Sequence, residues 1–424
     1  MRGNRLLKNT STFADNMDLP IHRWYRFPAG FSAEWVRHVI SNSNNKSFDN
    51  KAAPIVFDPF VGCGATVLAA EQCAVPAIGI DSHPFIVRIA QTKLNWRSDL
   101  KKFRSLAAKT LRFAKNLPES NLVYPKLIHA CYSKENLKKL DKLRRSWLHF
   151  NDESPLSDLV WLTLVCILRR TSHAGTAPWQ YVLPNRKKKN VAEPFSAFMN
   201  QARIMIEDMQ HFQVSSMGNP KGRILRDDAR ICSSMEKDSV DLVITSPPYP
   251  NNYDYADATR LEMSFFGEIE RWADLKDKVR RYLIRSCSQH MSSEDELTVL
   301  LKKKALDPIK DKLRDVCALL EKERLKHSTK KKYHLMIAAY FSDLADVWVS
   351  LRRVCKEGAK VCFIVGDSAP HGIYIPVDTW LGELAKSAGF NSYVFEKIRD
   401  RNIKWNSNRK HKIPLKEGRL WVKG

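Results

Sequence analysis

The chain has 424 residues, 44% of them hydrophobic and 27% charged, which excludes a body of disordered chain and leaves two domains or one core with large insertions. Seventy Lys and Arg stand against 46 Asp and Glu, a formal charge of +24 that favours a polyanionic partner, nucleic acid first, over a merely solvated basic face. Nine scattered cysteines without a CxxC pair or zinc spacing predict reduced thiols, no metal and a cytosolic setting; the longest apolar run, the ten residues Leu159–Leu168, excludes a membrane helix, and the first residues lack the apolar stretch of a secretory signal.

Residues 1–95 open with the aromatic stretch HRWYRFPAGFSAEWV. A strand at Ile55–Phe57, a glycine loop, an alanine-rich helix opened by Thr66 and a second strand AIGID follow. That βαβ pattern implies a parallel sheet. Residues 96–219 are glycine-poor and carry 14 basic against four acidic residues between Trp96 and Leu148. Their spacing predicts a mainly helical basic insertion, the candidate target-recognition region. Within it Arg169 to Lys189 mixes cations, aromatics and turn residues, so Arg169, Arg170, Arg186 and Lys187 are candidate phosphate and base contacts. Residues 220–270 return to strands, GRILRDDAR and VDLVIT. Residues 271–335 read as a second helical basic arm, and residues 336–424 supply the remaining strands AKVCFIVGD, NSYVFEKIRD and RLWVKG.

The glycine loop, Asp58-Pro59-Phe60-Val61-Gly62-Cys63-Gly64, lets backbone approach a ligand beside free helix N–H groups. A simple strand-to-helix turn is the alternative. Seventeen residues beyond Gly64, Asp81 ends the second strand, where a carboxylate accepts from ribose hydroxyls. No third glycine makes this a dinucleotide loop, and no Gly-Lys-Ser/Thr makes it a phosphate loop. A nucleoside cofactor without phosphate remains, and S-adenosyl-L-methionine fits, with Asp58 a candidate for its ammonium.

The strand VDLVIT delivers Thr245-Ser246-Pro247-Pro248-Tyr249. Two prolines fix φ and remove two N–H donors, so the tip offers acceptors and an aromatic face. A planar ring bearing an amino group satisfies it: the NH₂ donates to Ser246 and to the Pro247 carbonyl, and Tyr249 stacks on the ring.

Together, DPFVGCGAT and TSPPY resemble the motif set of the exocyclic-amino DNA methyltransferases, which act on cytosine N4 or adenine N6. The FxGxG core is Phe60–Gly64 and the catalytic loop is Ser246–Tyr249. The aromatic stretch resembles the segment folded over the methionine end of the cofactor, with Tyr25 and Phe31 its candidate contacts. LRDDARI resembles the segment whose acidic residue meets the adenine, here Asp228 with Ala229. The run NNYDYADATRLE resembles the one that follows SPPY, so Asn251, Tyr253, Asp254 and Tyr255 are candidate DNA contacts, and Asp367 is a candidate neighbour of the base. The resemblance implies a Rossmann-like class I methyltransferase, a mainly parallel twisted sheet flanked by helices. It further implies S-adenosyl-L-methionine bound at Asp58–Gly64, Thr66, Asp81 and Thr245, double-stranded DNA as substrate with its base flipped out, and a cognate restriction endonuclease as candidate companion in the prokaryotic cytosol. Ser at the first position of the loop leans toward cytosine N4, and no Pro-Cys pair exists for cytosine-C5 chemistry. Adenine N6, an RNA guanine-N2 methyltransferase with its own PPY loop, and a catalytically dead DNA-binding protein are the competing readings.

Overall fold

A computed structural model describes residues 13–44, 53–177, 180–292, 294–401 and 413–424. Nine strands are present among them: β1 (Val56–Asp58), β2 (Ala77–Asp81), β3 (Ala174–Thr176), β4 (Val182–Lys187), β5 (Arg223–Arg226), β6 (Val240–Thr245), β7 (Cys355–Gly366), β8 (Ser392–Asp400) and β9 (Lys416–Lys423). Seven of them form one sheet in the order β5-β2-β1-β6-β7-β9-β8. β5, β2, β1, β6 and β7 run parallel, and β9 lies antiparallel between β7 and β8.

β1, β6 and the second half of β7 are near-continuous apolar runs because both faces are covered there, whereas the edge strand β5 exposes Arg223 and Arg226. One face packs Val36, Ile40, Val67 and Ala90, from helices Ala33–Asn44, Ala65–Gln72 and Pro84–Lys93, on Val56, Leu242 and Ile244. The other packs Phe341, Leu344 and Trp348 of helix Tyr333–Val354, with Leu381 of helix Val377–Ser387, on Phe57, Val243 and Phe363. From β1 the chain crosses to β2 on one side, whereas β6 leads to β7 on the other. The carboxyl ends of β1 and β6 therefore flank the crevice where open sheets of this kind take ligands.

The insertion shares its core with the helices beside the sheet, its apolar cluster running on through Leu68, Phe85, Ile86 and Ile89. Helices Leu100–Asn116, Lys134–Phe150, Pro155–Thr171 and Pro194–Ser216 bury Phe103, Leu140, Leu164 and Phe198 together with Trp24 of the N-terminal aromatic stretch. It is not purely helical: β3 and β4 pair as an antiparallel hairpin inside the turn-rich Arg169–Lys189 segment, a local pairing that helical periodicity does not register. Pro178 and Trp179, at its tip, lie outside the described residues. Helix Tyr333–Val354 runs across the boundary expected at 335/336.

Glu71, fully buried at the end of helix Ala65–Gln72, joins the two ends of this insertion. Its carboxylate accepts from Trp96 Nε1 (2.7 Å), Arg97 Nη1 (2.7 Å) and the Gly222 amide (2.8 Å), and Asn219 Nδ2 donates to its backbone carbonyl (2.7 Å). Glu71→Ala strands one buried guanidinium and two further donors. A loss of about 3–5 kcal/mol is expected, read as a lowered midpoint in urea unfolding; an unchanged midpoint contradicts the role.

Candidate active site

β1 ends in Asp58, and the chain turns through Gly62 (φ +50°) and Gly64 (φ +90°) into helix Ala65–Gln72. A Cβ on Gly62 would sit 2.7 Å from the Phe27 ring, so glycine is required there by both conformation and space. Asp81 closes the loop, accepting from the Gly62 amide (3.0 Å) and the His83 amide (2.9 Å).

Asp58 is buried and faces inward. Its carboxylate accepts from Thr66 Oγ1 (2.5 Å), Thr245 Oγ1 (2.6 Å) and the Phe60 amide (3.1 Å). Burial outweighs these bonds and pushes its carboxyl up to about 6. The side chain expected to meet an ammonium instead ties the glycine loop to the strand that ends in SPPY.

Two cavities meet at that tip. The first is lined by Phe31, Phe60, Gly62, Cys63, Asp81, His83, Ile86 and Pro248, and from the basic arm by Leu283 and Ile284. The second, of about 370 Å³, is lined by Tyr249, Asn251, Tyr253, Arg399, Arg401 and Glu417. Ser246, Tyr255, Ala29 and Gly30 line both. The Ser246 hydroxyl donates to the Ile364 carbonyl (3.4 Å), which leaves its oxygen an acceptor on the shared wall. Pro247 is buried and lines neither cavity.

His83 brings an unsatisfied atom to the first cavity. Burial holds its imidazole neutral, its pKa down to about 3. Thr259 Oγ1 donates to the Ala256 carbonyl (3.1 Å) and so accepts from His83 Nε2 (3.0 Å), leaving buried Nδ1 an acceptor without a partner among the described residues. Apolar walls, the Asp81 carboxylate and this lone pair suit a nucleoside: hydroxyls toward Asp81, an amino-bearing ring toward the apolar side.

Other expected contacts lie elsewhere. Tyr25, Arg169 and Arg170 line a separate cleft of about 1180 Å³ between the aromatic stretch and the insertion, with Arg26, Lys188 and Lys189. Arg169 is not offered to a ligand: its guanidinium clamps Glu262 through Nε (2.6 Å) and Nη2 (2.9 Å) and donates to the Gln180 and Ala258 carbonyls. Asp254 is likewise engaged, accepting from Arg280 Nε (3.0 Å) and Nη2 (2.7 Å), while its amide donates to the Tyr181 hydroxyl (2.7 Å) at the base of the hairpin tip. Asp228 is held by its neighbour Arg230 (2.6 Å) and, with Ala229, lines neither central cavity. Pro59 and Thr66 also sit behind the loop, and Asp367, buried at the end of β7, accepts from the Tyr374 hydroxyl (2.9 Å). Arg186 and Lys187 are exposed on β4. Phe27, Ala29, Gly30, His83, Ile86, Leu283, Ile284, Arg399, Arg401 and Glu417 are among the site residues that sequence reasoning missed; only the first three carried a signal, lying in the aromatic stretch already singled out.

Among the described residues no group of His, Cys, Asp and Glu could hold a metal ion, and no helix is long and apolar enough to cross a membrane. A family model described as DNA methylase, of the N6 and N4 methyltransferases, matches residues 5–92. The chain is 24% identical over 428 residues to the type II methyltransferase M.BsoBI of Geobacillus stearothermophilus, covering 92% of this chain and 82% of the relative. It is 25% identical over 414 residues to the type II methyltransferase M.AvaI of Nostoc, covering 91% and 82%. A shorter match, 36% over 107 residues, joins 24% of this chain to 19% of the type II methyltransferase M.MjaII of Methanocaldococcus jannaschii.

A raised Asp58 pKa means that the folded state holds a proton the unfolded state releases. Wild-type stability should therefore fall, relative to Asp58→Asn, as pH rises from 3.8 to about 6, and stay level above. Urea midpoints for both proteins across pH 4–8 check this; a difference rising with pH overturns the assignment.

Proposed function

We propose that this chain, a member of the family of DNA methylases that modify exocyclic amino groups, transfers a methyl group from S-adenosyl-L-methionine to N4 of a flipped-out cytosine in double-stranded DNA. The observation that carries the reading is the meeting of two cavities at Ser246 and Tyr255, one backed by the glycine loop and the other by Tyr249. The sheet order, with one antiparallel strand inserted beside β7, supports a Rossmann-like class I architecture.

The cofactor would be held by Asp81 at its ribose, by His83 Nδ1 and Ile86 at its base, and by Phe31, Phe60 and Gly62 along its chain. When bound it supplies an electrophilic sulfonium methyl. Ser246 Oγ accepts from the amino group of the target base and Tyr249 packs on its ring, so the nitrogen is turned from its conjugated plane and aimed across the shared wall. Tyr255, whose hydroxyl accepts from the Tyr249 amide (3.4 Å), holds the tip on that wall. Ser at the first position of the loop favours cytosine over adenine.

Flipping a base costs a few kcal/mol, which contacts to the surrounding duplex offset. The cleft bearing Arg26, Arg170 and Lys189, and the exposed Arg186 and Lys187 of β4, supply cations for its phosphates. The β3–β4 hairpin reaches Tyr253 and Asp254 beside the second cavity, which supports the insertion as the sequence reader. The relatives are named type II methyltransferases, which supports a restriction-modification setting in the cytosol with a cognate endonuclease as companion.

Methylation-sensitive long-read sequencing of DNA from cells expressing the chain should report N4-methylcytosine at one short motif. N6-methyladenine, or methyl transfer to RNA alone in a parallel tritium assay, overturns the reading. Ser246→Ala and Tyr249→Ala should each lower kcat about 100-fold with cofactor affinity, measured by calorimetry, within about threefold of wild type. Full turnover in both variants removes the tip from the chemistry.

A further inference from the structure

We infer that Arg401, with Glu417 as its brace, reads the target base and sets the preference for cytosine, an assignment that rests on the proposed amino methylation at Ser246.

The second cavity is rich in acceptors, and Arg401 is the cation set against its aromatic wall. The guanidinium carbon lies 5.2 Å from the centre of the Tyr249 ring, and the side chain is only 16% exposed. Its orientation is fixed from behind: Nη1 donates to the Asp367 carbonyl (2.9 Å), and Nε faces Glu417 Oε2 at 3.7 Å. Glu417 is itself anchored by Arg399, whose Nη2 reaches both carboxylate oxygens at 3.1 and 3.0 Å. Gly366, at the end of β7, makes the space. A Cβ there would stand 2.6 Å from Arg401 Nη1 and 3.3 Å from the Tyr249 ring. The backbone is thus bared where the guanidinium and the ring meet.

A charged fork held beside a stacking ring, on the wall of a cavity that also contains Ser246, discriminates between bases by chemistry alone. The Watson–Crick edge of cytosine presents the amino donor, then two adjacent acceptors, N3 and O2. With the amino group on Ser246, two parallel N–H donors match N3 and O2. Adenine presents its amino group and N1, then a carbon-bound hydrogen, so one donor of the largely buried fork goes unmatched. Sites built to hydrogen-bond a group reject the analogue lacking it strongly, because the buried partner is left unpaired. A phosphate contact by Arg401 would not distinguish the two bases.

The test uses the full-length protein and duplexes carrying its own methylation motif, as found by sequencing, with cytosine or a mismatched adenine at the target position. Wild type should favour cytosine by at least about 100-fold in kcat/KM. Arg401→Met should lose about 100-fold on cytosine and no more than about threefold on adenine, with cofactor affinity retained by calorimetry. Arg401→Lys, which keeps the charge and loses the fork, should fold and still lose about tenfold of the preference. Equal losses on both bases, or an undiminished preference in either variant, overturn the assignment while leaving N4 methylation at Ser246 standing. Wild-type transfer to adenine alone defeats the cytosine reading and this inference with it.

Discussion

The site depends on one buried carboxylate. Asp58 ends β1, Thr66 lies in the first turn of the helix after the glycine loop, and Thr245 is the last residue of β6; a single side chain accepts from both hydroxyls. β1 and β6 are neighbours in the sheet, but backbone pairing ends at Phe57–Val243. Beyond that point the strands are free to diverge, and Asp58 holds them together where the two loops leave. Hydroxyl donors allow this without a second charge, and the raised pKa reflects burial outweighing their gain.

The SPPY tip is stiff on its own, but the chain after it is not, and its position is set by charges from two other parts of the molecule. Arg169 of the insertion holds Glu262, and Arg280 of the arm holds Asp254. Arg280 also lies over the Trp272 ring, 4.0 Å from its centre. Much of the basic excess near the centre is therefore spent internally, on fixing the segment that borders the second cavity. The cations left facing outward sit around the larger cleft and along β4.

This division explains what could be read in the sequence. The central parallel strands were legible because double burial leaves apolar runs, and the two loops because glycine and proline encode backbone shape directly. Asp81 and Ser246 lie on the cavities for the same local reason: one is the last residue of a legible strand and the other the first after one. Arg169 and Asp254 were misleading, since a sequence displays a charge but hides its partner 93 or 26 positions away. Asp58 shows the same limit, its Thr245 partner lying 187 positions on. Leu283 and Ile284 gave no signal at all, because an apolar pair in a basic arm has no periodicity to mark which surface it will cover. Arg399 and Arg401 gave no signal either: the pairing of β8 with β9 and the bare backbone at Gly366 bring them to the cavity.

The Glu71 knot has a bearing beyond stability. Trp96, Arg97, Asn219 and Gly222 all converge on one residue, so some 120 residues of chain leave the sheet and rejoin it at a single point. Such a seam lets the length of the intervening chain vary without shifting strand register, yet its contents are not free to drift. Arg169 on Glu262, the Tyr181 hydroxyl on the Asp254 amide and Asp208 on Arg23 and Trp24 must persist through any change in what the molecule reads.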